Sequence, residues 1–67
     1  MEISERELQV LLLITQEYST PEIAEQLYLS TETIKSHRKN IIRKFQVKNT
    51  AGIVRRAFEL GLLSISA

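Results

Sequence analysis

The sequence predicts an all-α domain of four helices, and three observations predict it. Apolar residues recur at three- and four-residue spacings in four successive segments, the period of a helix face. Each segment opens on a Ser, Thr or Asn able to cap a helix N-terminus. No segment alternates apolar with polar residues at period two, so no β-sheet is expected. The predicted helices span about residues 5–17, 20–28, 31–45 and 50–60. A chain of 67 residues makes one compact domain with a modest core, expected to run from 1 to 67.

The first helix opens at Ser4, with Glu7 three residues on. That spacing is a capping box, in which hydroxyl and carboxylate each accept an amide the helix leaves unpaired. Leu8, Leu11, Leu12 and Thr15 share a face broadened by Val10 and Ile14, as in a core helix fading near Gln16 to Tyr18. The second helix starts at Ser19-Thr20-Pro21-Glu22. Proline suits a first turn, where its missing amide costs nothing, and Glu22 favours the positive end of the dipole. Ile23, Ala24 and Leu27 give it a short apolar face.

Ser30 is the expected N-cap of the third helix, with Glu32 in its first turn. That helix runs to Phe45, about 22 Å at the helical rise. Only Tyr28-Leu29-Ser30 separates it from the second helix. A short helix followed this closely by a longer one is the skeleton of a helix-turn-helix. The fourth helix is capped by Asn49 or Thr50 and ends at Leu60, with Gly61 just beyond. Gly52 in its first turn is read as a weak point costing ~1 kcal/mol relative to alanine. Tyr18 and Tyr28, flanking the second helix, are expected to pack rather than to serve as stacking platforms.

Composition narrows the function. Hydrophobic residues make up 43% of the chain and charged residues 25%, which fits a folded globular domain rather than disorder. There is no cysteine, no aspartate and one histidine, so no disulfide, metal site or cofactor is expected. No nucleophile–base pair suggests catalysis, and capping and surface solvation account for Glu7, Glu22 and Glu32. The longest apolar run, Val10 to Ile14, is too short to cross a bilayer. The start, Met1-Glu2-Ile3-Ser4-Glu5, is acidic where a secretion signal is basic. No membrane partner is expected, and the expected location is the cytoplasm. The net charge of +1 hides a split. Seven Glu against one Arg give residues 1–32 a charge of −6, and eight cations against one Glu give residues 33–67 a charge of +7. Such asymmetry points to an anionic partner for the second half, and clustering matters more than the total.

Projected at about 100° per residue, the third helix has two sides. Ile34, Ile41 and Phe45 form an apolar stripe, and nearly opposite lie Lys35, Lys39, Glu32, Arg43 and Ser36. The stripe pins the helix while the other side is free to enter the major groove of double-stranded DNA. Lys35, Ser36 and Lys39 are placed to contact base edges. Thr33, Asn40, Arg43 and Lys44, with Ser30 at the cap, are placed to meet phosphates. The N-terminal amides of the second and third helices offer further phosphate sites.

The residues Ser4-Glu5-Arg6-Glu7-Leu8-Gln9-Val10-Leu11, Pro21-Glu22-Ile23-Ala24-Glu25-Gln26-Leu27 and Leu29-Ser30-Thr31-Glu32-Thr33-Ile34-Lys35-Ser36-His37 together resemble a LuxR-type helix-turn-helix domain. The pattern continues through Asn40-Ile41, Lys44-Phe45, Val47 and Ala57 to Gly61-Leu62, so the resemblance covers nearly the whole chain. It implies a four-helix DNA-binding domain that dimerises through its last helix on paired half-sites. Such domains commonly end two-component response regulators or quorum-sensing receptors. By position, Lys35, Ser36 and Lys39 match base-contacting places, while Thr33, His37 and Asn40 match places near the phosphate backbone. Three residues depart from the pattern: Glu17 stands where a glycine is common, Thr50 where an arginine is common, and Ser36 where an apolar residue is often found.

Val54, Arg55 and Phe58 are the expected homodimer contact through the fourth helix, set against a plainer reading in which Val54, Ala57, Phe58 and Leu60 form a wide core face. So small a surface implies a weak homodimer. The chain is read as a domain excised from a longer regulator, whose receiver or sensor domain lies upstream, with RNA polymerase a further partner. A stand-alone small regulator, a promoter reader like region 4 of a sigma factor, and a protein-interaction module for an acidic partner stay open as alternatives.

Overall fold

The computed structural model describes residues 3–63. They form α1 (Glu5–Thr15), α2 (Thr20–Leu27), α3 (Thr31–Phe45) and α4 (Thr50–Glu59), with no strand among the described residues. All four helices begin on the expected caps. Ser4 and Glu7 exchange hydrogen bonds of 3.0 Å each, the capping box read from the sequence. Ser19 and Glu22 form a second box, at 2.8 and 3.3 Å, carried by the same Ser-x-x-Glu spacing. The Ser30 hydroxyl accepts from the Thr33 amide at 3.1 Å, and the Asn49 side chain from the Gly52 amide at 3.0 Å.

The helices also end alike. After each, a left-handed residue lets the next amide reach back five residues to an unpaired carbonyl. The bonds are Tyr18 to Leu13, Leu29 to Ala24, Val47 to Ile42 and Leu62 to Ala57, at 2.9–3.2 Å. Gly61 takes the left-handed place after α4 at φ +73°, but Glu17, Tyr28 and Gln46 take it elsewhere at φ +58° to +68°. For residues with a β-carbon that conformation costs about 1 kcal/mol each. It also sets the end of α1, which stops at Thr15 rather than at 17: the chain reverses at Glu17, where glycine is the cheaper residue.

The helix α3 packs against each of the other three. Its Ile34, Ile41 and Phe45 meet Val10, Leu11 and Ile14 of α1, Ile23 and Ala24 of α2, and Ile53 and Ala57 of α4 in one buried cluster. The buried stripe of α1 is therefore Glu7, Val10, Leu11 and Ile14, with Leu8 and Leu12 only half-buried at its margins. Three expectations change. Glu7 is a buried carboxylate and not a solvated one. Tyr18 does pack on the core, but Tyr28 is 94% exposed because its left-handed backbone turns the side chain away from both flanking helices. Gly52 is no weak point: a β-carbon there would stand 2.7 Å from Cβ of Val47, so the close approach of α4 to the end of α3 excludes alanine.

Candidate nucleic-acid interface

Burial of Ile34, Ile41 and Phe45 fixes the rotation of α3 about its axis, and with it the residues that face outward. Lys35, Ser36, Lys39 and Arg43 are exposed; Thr33, His37 and Asn40 are half-buried along the flank. The three residues expected to reach base edges are thus brought together on the free side, with no other helix covering them. Lys35 holds its ammonium 3.4 Å from the Glu32 carboxylate, both side chains largely in solvent. Lys39 makes no ion pair among the described residues. Arg43 donates to the Asn40 side chain at 3.4 Å, a contact long enough to yield to a phosphate.

Ser30 is exposed at the start of the same helix, its hydroxyl 2.9 Å from that of Thr33. Its cap is made of hydroxyls alone, so no carboxylate closes this helix end to an incoming anion. The start of α2 differs. There the amide of Ser19, then its hydroxyl, hold the Glu22 carboxyl below its usual titration range, and that carboxylate already occupies the helix terminus. Of the two helix starts, that of α3 is the one no carboxylate already holds.

Lys44 is not part of this constellation. Its ammonium donates to Oε1 of Glu7 at 2.6 Å, across 37 residues of sequence, and draws its side chain toward α1. Burial alone would push the Glu7 carboxyl up. The hydrogen bonds from Lys44 and the Ser4 amide, the Lys44 charge and the Ser4 hydroxyl outweigh it and hold the carboxyl below its ordinary value. The pair ties the far end of α3 to the start of α1, so we assign Lys44 to the fold.

On α4, Phe58 is 52% exposed, Arg55 is exposed and Val54 is half-buried against the core, all along one side of the helix. The plainer reading, a wide core face, holds for Ala57 and partly for Val54 but not for Phe58 or Leu60, which remain in contact with solvent. Two cations escaped the sequence reading. Lys48 joins Arg55 in lining an open groove of about 430 Å³ where α3 passes into α4. Arg38, beside the apolar stripe of α3, is half-buried, its Nε enclosed without a hydrogen-bond partner among the described residues. Every charged residue from Lys35 to Lys48 is a cation, and that run was the signal for both. Among the described residues no group of side chains could hold a metal ion, and no helix is long and apolar enough to cross a membrane.

Residues 1–57 match a family model described as bacterial regulatory proteins, luxR family. The chain is 38% identical over 61 residues to the oxygen regulatory protein NreC of Staphylococcus carnosus, covering 91% of this chain and 28% of that protein. Its identity to the response regulator protein VraR of Staphylococcus aureus is also 38% over 61 residues, covering 91% and 29%. The chain therefore spans less than a third of the length of these relatives. Among solved structures, that of the transcription factor GerE is similar with a TM-score of 0.86 and 32% identity, covering 92% of each chain.

Proposed function

Because the chain belongs to the luxR family of bacterial regulatory proteins, we propose that it binds double-stranded DNA for a transcription regulator by laying α3 in the major groove. The observation that supports this most is the two-sidedness of α3. Ile34 and Ile41 are fully buried on one side, while Lys35, Ser36 and Lys39 stand free on the other. A helix held this way enters a groove about 12 Å wide without surrendering any packing. Lys35, Ser36 and Lys39 are assigned to base edges. Ser30, Thr33, His37, Asn40 and Arg43 are assigned to the phosphates on either wall.

Paired half-sites need two copies of α3, and the face of Val54, Arg55 and Phe58 is the surface we assign to the second copy. Its small area makes association weak without DNA. The longer relatives, one of them named a response regulator, support a receiver domain N-terminal to this one in the whole protein. In that reading the regulator acts in the cytoplasm and its output passes to RNA polymerase.

The test is selection of bound duplexes from a random-sequence pool with the purified chain, followed by a salt titration of the winner. A two-fold repeated motif is expected, with affinity falling steeply as salt rises because phosphate contacts release counterions. An unenriched pool, with weak binding lost at moderate salt, would overturn the reading and turn the search to acidic protein partners.

A further inference from the structure

The free side of α3 carries one residue that does not fit a simple cationic surface. Glu32, at the second position of the helix, lies one turn before Lys35 and Ser36 on the same side, and its side chain is 82% exposed. A carboxylate brought against a polyanion is repelled unless it finds a hydrogen-bond donor there. On the major-groove edges the donors are the amino groups of cytosine and adenine. Adenine sets its amino group beside the N7 acceptor, which would face the carboxylate, whereas cytosine offers its amino group alone. The partner of Glu32 at 3.4 Å, Lys35, has the opposite requirement and suits the O6 and N7 acceptors of guanine. A cytosine and a guanine at neighbouring positions present both groups next to each other. The N-terminal residues of a recognition helix are the ones that reach base edges, and both residues lie there.

We infer that Glu32 is a specificity-determining residue that accepts a hydrogen bond from a cytosine amino group, beside the guanine read by Lys35. This rests on α3 being the reading helix. The ion pair in the free chain holds both side chains over the same stretch of groove and is weak enough at the surface to open on contact.

Parallel selection from a random duplex pool with the unchanged chain, E32Q and K35A tests it. Both side chains are exposed, so neither substitution removes packing. The unchanged chain should enrich a cytosine in each half-site, next to a guanine whose preference K35A loses. E32Q should lose that cytosine or exchange it for adenine, which glutamine reads in a bidentate manner, with discrimination at that position down about tenfold or more. E32Q binding every duplex more tightly with all base preferences intact would overturn the inference and make Glu32 only a repulsive charge. Base preferences altered by K35A but not by E32Q would sink this inference alone. Preferences altered by neither would sink the assignment of α3 as well.

Discussion

Each end of α3 carries a lysine–glutamate pair, and the two pairs have opposite characters. Lys35 and Glu32 sit three residues apart on one helix, 3.4 Å between charges, with side chains 64% and 82% exposed. Lys44 and Glu7 join two helices at 2.6 Å, with side chains 31% and 6% exposed. In water the first pair contributes little, because both charges are well solvated and a long side chain loses freedom to form it. The second encloses a carboxylate that also closes the cap of α1, so losing its cation leaves a buried charge. One pair is free to rearrange on a ligand; the other holds in place the helix that meets the ligand.

The largest expected effect breaks that contrast from the buried side. Lys44→Ala should cost about 2–3 kcal/mol in urea unfolding, below the full penalty for a buried pair because Lys44 is partly in solvent. Lys35→Ala should cost less than ~0.5 kcal/mol. Equal costs would mean that the two pairs do not differ in kind. The same pair sets an acid response. The folded-state pKa of Glu7 is depressed, so its contribution is complete above the unfolded carboxyl range, about pH 4.3. It is lost as the pH falls through the lower folded-state value, and unfolding measured along that descent should show a shallower acid loss in Lys44→Ala.

Next come the effects on binding. Lys39→Ala should weaken DNA affinity by about 1–3 kcal/mol and relax preference at one base position, with the unfolding midpoint unchanged. Electrophoretic mobility shifts with the selected duplex measure it. Unchanged affinity would remove Lys39 from the interface. A smaller contrast lies between two kinds of helix end. Gly52→Ala should destabilise by about 1–2 kcal/mol through its clash with Val47. Gln46→Gly, six residues earlier at φ +58°, should stabilise by about 0.5–1 kcal/mol by relieving a left-handed β-carbon. Thermal unfolding of the two variants should move in opposite directions, and a shared direction would refute the backbone account.

The sequence by itself determined the helices and the free side of α3. Caps act across three residues and helix faces repeat within four, so Ser4 with Glu7, Ser30 with Thr33, and the stripe of Ile34, Ile41 and Phe45 were all legible from their spacing. Lys35, Ser36 and Lys39 were legible for the same reason: once the stripe is buried, the opposite side has nowhere to go but outward. Tertiary structure alone decided the contacts between distant segments. Nothing local says that Lys44 turns to a carboxylate 37 residues away, that Glu7 is enclosed, or that Gly52 must admit Val47. Those depend on where α1 and α4 cross α3, and a crossing is set by the fit of several side chains at once. Tyr28 shows the same limit from the other side, an aromatic expected to pack that a left-handed turn leaves in water.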